Sequence, residues 1–189
     1  KKISSFNFLI NNFEYFNVHD FGDLPDRFVQ SIGTLDNCKF AKGLTNVLEI
    51  WKELIENANE YFYAIIPQFG GSLTELAFTK FIEKNVKLKM IIPANAIVTK
   101  KYLELKEKYD IDKLFSKKIF ERRMVDNVKI AVLINEKQAS IDLPFENGET
   151  DFNNLFYSND PLFHEWCNDY FYYSWNNSKI YNESKLKIN

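Results

Sequence analysis

Histidine, cysteine, glycine and proline are all scarce in this 189-residue chain, which has two His, two Cys, six Gly and five Pro. His19, His164, Cys38 and Cys167 lie far apart and form no group with metal-ligand spacing, which argues against a structural zinc site. The two cysteines read as reduced thiols. No Walker-type phosphate loop and no GxGxxG motif is present. No apolar run approaches the roughly 20 residues of a membrane span, and no signal peptide is visible, so a cytoplasmic protein without membrane contact is expected. Excess positive charge is missing as well. A net charge of −2 and a pI near 5.8 argue against a nucleic-acid-binding surface on this chain itself. The chain opens on Lys1 rather than Met, which reads as a piece of something longer.

What is abundant is apolar and aromatic. Hydrophobic residues make up 46% of the chain, with 18 Phe and 10 Tyr, so a core filled largely by rings is expected. The stretch Tyr61–Pro93 organises the rest. It reads as a strand to Ile66 stopped by Pro67, a loop with Gly70 and Gly71, and a helix with Leu73, Leu76, Ala77, Phe81 and Ile82 inward. A second strand, Val86–Ile92, ends at Pro93. Neither apolar run alternates cleanly, which is the pattern of parallel strands buried on both faces. Ligands in such sheets lie at the carboxyl ends of the strands, here Pro67–Ser72 and Pro93–Asn95.

Upstream, residues 1–18 read as a helix with an apolar face of Ile3, Phe6, Leu9, Ile10, Phe13 and Phe16. That helix either folds back on the domain or pairs with another subunit. Pro25 opens a short helix closed by Gly33, Cys38–Lys42 is a strand, and Thr45 caps a helix buried through Val47, Leu48, Trp51, Leu54, Ile55 and Ala58. Downstream come a solvated Lys- and Glu-rich helix, Thr99–Lys108, and strands Lys118–Met124, Lys129–Asn135 and Gln138–Leu143. The last two are joined as a hairpin by Glu136-Lys137. Asp160-Pro161 starts the final helix, with Leu162, Trp166, Tyr170 or Phe171, Tyr173 and Trp175 towards the sheet.

Chemistry is weakly signalled. The central strands end in Ile-Pro without the acidic cluster of a phosphorylatable receiver domain, and Asp110, Asp112, Asp151 and Asp160 read as solvated loop acids. Gly70-Gly71-Ser72 could offer backbone N–H groups to an anion or be a plain turn. Arg122 and Arg123 sit on a strand and, by alternation, on opposite faces. A guanidinium on an apolar face needs a partner, either an internal carboxylate or an acidic ligand. The candidate ligand-binding residues are therefore Gln68, Gly70, Gly71, Ser72, Asn95, Arg122 and Arg123. No catalytic residue, metal or cofactor is indicated.

The order and spacing of several landmarks carry a resemblance from Leu24 to Trp175. They are Leu24-Pro25, Arg27-Phe28, Ile32-Gly33, the Val47–Ala58 helix, Val86–Pro93, Arg122 or Arg123, Leu143-Pro144 with Gly148 and Asp151, and Trp166-Cys167 with Phe171 and Trp175. The chain resembles the middle domain of archaeal methanogenesis and filament regulatory proteins, which follows a winged helix-turn-helix in many archaeal transcriptional regulators. That family in turn is similar to the phospholipase D fold, as are effector domains of TrmB-type regulators. Catalytic members carry His-x-Lys and, after four more residues, Asp. Here those positions read Asn127-Val128-Lys129 and Ile134. Asn cannot supply the histidine nucleophile.

The resemblance implies an α/β fold with a mixed, largely parallel sheet flanked by helices. Residues 1–20 would be a linker or dimerisation helix and 21–180 a sensor domain, with a DNA-binding winged helix expected before Lys1. The implied partners are a small effector, an acidic metabolite or carboxylated lipid-like signal, and a second copy of the chain. DNA would be reached only through the preceding domain. A structural dimerisation module without effector, or a phosphodiesterase or nuclease of the same fold, are the alternatives.

Overall fold

The computed structural model describes residues 2–68, 73–182 and 187–188. The N-terminal segment is not one helix but two, α1 (Lys2–Asn11) and α2 (Phe13–Phe16). They are followed by α3 (Asp26–Gln30) and a turn of 3₁₀ helix, Ile32–Leu35. Then come β1 (Lys39–Lys42), α4 (Leu44–Asn57), β2 (Tyr61–Ile65), α5 (Thr74–Glu83) and β3 (Lys87–Pro93). A two-residue strand β4 (Ile97–Val98) leads into α6 (Lys100–Lys108) and α7 (Ile111–Ser116). The chain continues through β5 (Phe120–Val125), β6 (Ala131–Asn135), β7 (Ala139–Asp142) and β8 (Asn154–Ser158). It finishes with α8 (Pro161–Asn177), β9 (Lys179–Ile180) and β10 (Lys187–Ile188).

Among the described residues the main sheet has eight strands in the order β1-β8-β7-β6-β2-β3-β5-β9, and β10 pairs with β4 apart from it. Parallel pairing is confined to β2-β3 and β3-β5, where helices make the crossovers; the other neighbours in this sheet are antiparallel. The expected hairpin is present, with Ile134 opposite Ala139 across the turn. The expected βαβ unit runs in register from Tyr61 opposite Lys87 to Ile65 opposite Ile91.

Alternation along the central strands feeds two cores. Ile65, Ile91, Val132 and Ile134 pack under α8 and the N-terminal segment, while Phe62, Ala64, Leu88, Met90 and Leu133 pack under α4, α5 and α6. Helix α8 buries Phe163, Trp166, Cys167, Tyr170, Phe171 and Trp175 but leaves the expected Leu162 exposed, one position off the buried stripe. Its start is as expected: Asp160 accepts from the Leu162 and Phe163 backbone N–H groups at 2.9 and 3.2 Å. The start of α4 differs. Gly43, at φ +91, occupies the N-cap and Thr45 lies inside the helix.

The N-terminal segment folds back on the domain, by a face other than the expected one. Phe8 and Tyr15 are buried, whereas Phe6, Ile10 and Phe13 are 63%, 56% and 66% exposed. Ile3 lies outside the described side chains. The Tyr15 hydroxyl donates to Leu143 O at 3.0 Å and accepts from Leu143 N at 3.2 Å. Asp20 N donates to Pro144 O, and Glu146 N to Val18 O. Gly22 closes this strap. Its φ is +52, and a Cβ there would lie 2.8 Å from Pro144 Cγ.

Beneath the strap lies a buried polar cluster. The reading of Asp151 as a solvated acid is corrected: it is fully buried, accepting from Asn153 N at 2.7 Å and Asn154 Nδ2 at 2.6 Å. Its Oδ2 also lies 2.8 Å from His19 Nε2, while His19 Nδ1 lies 2.8 Å from Tyr15 O. Both ring nitrogens thus face oxygens. The His19 ring also stacks on Tyr15, with centroids 3.7 Å apart. Asp142, on β7, is equally buried, and its carboxyl is held well above the ordinary carboxylate range by burial and then by the charge of Asp151.

Two outcomes are expected. Gly22→Ala should cost about 1–3 kcal/mol in urea denaturation, through the strained φ and the contact with Pro144. Asp142 keeps its proton in the folded chain over a pH range where the unfolded chain releases it. Its stability contribution is thus full below the unfolded value of about 4 and is lost as pH rises. Asp142→Asn should therefore raise Tm at pH 8 and leave it nearly unchanged at pH 4, read by circular dichroism melts across pH.

Candidate functional site

A cavity with polar walls forms where β2, β3 and β5 end. Ile65, Ile91, Met124 and Val125 make its floor, the connection from Asp126 to Ile130 makes one wall, and Tyr170, Tyr173, Ser174 and Asn177 of α8 make another. Asp23, Pro25 and Lys179 complete it, enclosing about 400 Å³. The cavity opens because the chain leaves β5 and re-enters the sheet antiparallel at β6, with two strands between, so the connection must cross the carboxyl ends of β3 and β2. Thr150 Oγ1 pins that connection by donating to Val128 O at 3.0 Å.

Its charges are unequal in availability. Lys179 Nζ holds Asp126 by both oxygens, at 2.7 and 2.8 Å, although both side chains are largely exposed and such a pair contributes about 0–1 kcal/mol. Lys129 is half-buried and has no carboxylate within 4.0 Å among the described residues. Its stem runs beside Gly148, where a Cβ would lie 3.7 Å from Lys129 Cε. Asn127 is exposed two residues before it.

No histidine or cysteine lines the cavity. His19 is committed to Asp151, and His164 Nε2 lies 2.7 Å from Asn135 O. Burial, then the charge of Asp36, pushes the Cys38 thiol up to about 12, and burial also raises Cys167 well above the ordinary thiol range, so neither is a competent nucleophile near neutral pH. Burial and the charge of Asp23 likewise raise the Tyr170 phenol. What remains is a site that can bind through Lys129, amides and hydroxyls.

Of the residues expected to form a ligand site, the described ones do not converge. Gly70, Gly71 and Ser72 lie outside the described residues. Asn95 is exposed in the turn after β3, and Gln68 lines a different, apolar cavity on the other face of the sheet. Arg122 and Arg123 do take opposite faces, each with a partner within the protein. Arg122 is sandwiched between the Phe115 and Tyr181 rings at 3.8 and 3.7 Å. It donates to the Tyr102 hydroxyl at 3.2 Å and lies 3.7 Å from Asp112 Oδ1. Arg123 donates to Trp175 O at 3.2 Å and to Ser178 O at 3.4 Å. Asn127 and Lys129, in the sequence only the remnant of a catalytic motif, are here walls of the polar cavity. The signal that could have found them is their position just past the end of a central parallel strand.

The family model of the methanogenesis regulatory protein FilR1, middle domain, matches residues 44–177. No curated protein matches the chain. Among solved structures, TrmBL2, described as an archaeal chromatin protein with a novel mode of DNA binding, superposes with a TM-score of 0.57 and 18% identity. The match covers 76% of this chain and 54% of that one, so this chain spans about half the length of TrmBL2. Nuc from Salmonella typhimurium, a phospholipase D family member, gives a TM-score of 0.55 at 12% identity, covering 78% of this chain and 99% of Nuc. NucT from Helicobacter pylori gives 0.50 at 13%, covering 76% and 100%. At these identities the likeness is one of fold, and that fold is phospholipase D-like.

The setting of Arg122 makes it a structural residue in a testable way. Arg122→Ala should lower stability by about 2–4 kcal/mol, because it removes a guanidinium stacked on two rings and strips the Tyr102 hydroxyl of a donor. Arg122→Lys should recover only part, since an ammonium restores the charge without the planar stack. Chemical denaturation of the two variants checks both.

Proposed function

This chain belongs to the family of the FilR1 middle domain, a regulatory domain of archaeal transcription regulators, and on that premise we propose that it is the effector-binding and dimer-forming part of such a regulator, without catalytic activity of its own. The observation that carries the reading is the cavity in which Lys129 stands without a carboxylate partner among the described residues, beside Asn127, the residue that the resemblance sets at the place of a histidine nucleophile. A cation in a half-enclosed cavity attracts an anion, and an amide beside it orients the ligand without attacking it. Asp23, exposed at the same cavity, disfavours a second negative charge. The proposed effector is therefore a small monoanion, a monocarboxylate or a phosphodiester.

The N-terminal segment supports the dimer. Phe6, Ile10 and Phe13, at spacings of four and three, form an exposed stripe on α1 and α2 that this chain does not cover. A second copy of the same stripe across a two-fold axis is the occupant proposed. DNA binding, which the description of TrmBL2 reports for that protein, is assigned here to a winged helix-turn-helix preceding this domain. An effector that binds one arrangement of the dimer better than another would then shift the spacing of the DNA-reading helices.

Thermal-shift measurements against monocarboxylates and phosphodiesters should raise Tm by several degrees at saturation for the wild type and not for Lys129→Ala. Light scattering should give a dimer that Phe6→Glu with Phe13→Glu converts to monomer. A monomeric wild type with no anion-dependent shift would sink the reading. Hydrolysis of bis(p-nitrophenyl) phosphate that disappears in Lys129→Ala would replace it with the enzyme.

A further inference from the structure

A second cavity, of about 210 Å³, lies on the opposite face of the same strands, between α4, α5 and the sheet. None of its lining residues is charged. It exists because two alanines line it, Ala64 at the middle of β2 and Ala77 on α5, where larger side chains would fill the space. Met90, an adaptable side chain, forms another part of the lining. Trp51 of α4 also lines the cavity, and its indole Nε1–H is out of contact with solvent and without an acceptor among the described residues.

That orphan donor is what distinguishes this cavity from a packing defect. A buried N–H without an acceptor costs about 1–3 kcal/mol, which native structures seldom leave uncompensated. Water finds polar partners only near Gln68 and Thr74; the rest of the lining is apolar, and apolar cavities of about 150 Å³ stay dry while admitting benzene. A neutral ligand with one acceptor meets both requirements: its body fills the apolar space and its oxygen receives the indole proton. A carboxylate does not, since nothing charged is there to balance it.

We propose that the cavity between α4, α5 and the sheet is a binding site for a small, neutral, mainly apolar molecule, an aromatic or short aliphatic ketone, aldehyde or ester, whose carbonyl oxygen accepts from Trp51 Nε1. This site is separate from the Lys129 cavity and takes ligands of different chemistry.

The test uses acetophenone and its isostere 2-phenylpropene, in which CH₂ replaces the carbonyl oxygen, titrated into the ¹⁵N-labelled chain. The indole N–H resonance of Trp51, identified by its absence in Trp51→Phe, should move on adding acetophenone, while those of Trp166 and Trp175 stay. Acetophenone should bind about tenfold more tightly than 2-phenylpropene to the wild type, and equally to Trp51→Phe. Ala77→Leu, and separately Ala64→Val, should weaken both compounds at least tenfold and raise Tm by filling the space. Lys129→Ala should change none of this, so failure here and failure of the anion site are distinguishable. Absence of any shift at the Trp51 indole overturns the proposal. So does equal affinity for the two compounds in the wild type, or unweakened binding in both filled variants.

Discussion

Strands β2 and β3 are covered on both faces, so each of their side chains must be accommodated by one of two helical layers. Ile65 and Ile91 go to the α8 side; Ala64 and Met90, their immediate neighbours, go to the α4–α5 side. This alternation fixes the register, since a slip of one residue would exchange the two sets and leave neither layer packed. It also explains the two cavities. Ile65 and Ile91 form the floor of the polar one, and Ala64 and Met90 line the apolar one. Both are consequences of one buried pair of strands.

Where local signals agree, the fold is legible in the sequence. Proline stops after two apolar runs, a helical period between them and an Asp-Pro start before α8 all point to elements that form. The N-terminal helix fails as a reading because its apolar residues fall nearly all round. With Phe6, Phe8, Leu9, Ile10 and Phe13 in eight positions, periodicity cannot choose a face; docking against Phe156 does, and it selects Phe8 and Tyr15. Leu162 is misjudged for a simpler reason. It is the second residue of α8 and stands one position before the buried stripe, which begins at Phe163.

The sites are less legible because they are assembled from distant residues. His19 and Asp151 are 132 positions apart, and nothing around either one marks the other. Asp151 looks like any loop acid until the strap covers it. Arg122 illustrates the opposite limit. Sequence alone narrows its partner to a carboxylate or a ligand, yet most of its stabilisation here comes from two flanking rings and a tyrosine hydroxyl, with the Asp112 contact long and solvent-screened. The polar cavity draws its walls from Asp23 to Lys179, and no window of sequence contains them.

The effector response proposed above needs a physical route from the cavity to the N-terminal segment, and contiguity supplies one. The stem of Lys129 runs beside Gly148, in a turn where Gly148 N donates to Phe145 O and Phe145 N to Glu149 O. The same turn is tied to the N-terminal strap through Glu146 N to Val18 O and the pairing of His19 with Phe145. From there the chain runs directly into α2 and the exposed stripe on α1. In the proposed reading, an anion that drew Lys129 away from Gly148 would act beside the turn that carries the hydrogen bonds holding the strap. Contiguity is not coupling, which is a difference in free energy between two states. If the strap shifts with ligand, the shift passes through residues 144–148, because the strap's backbone bonds from Val18 and Asp20 both end there.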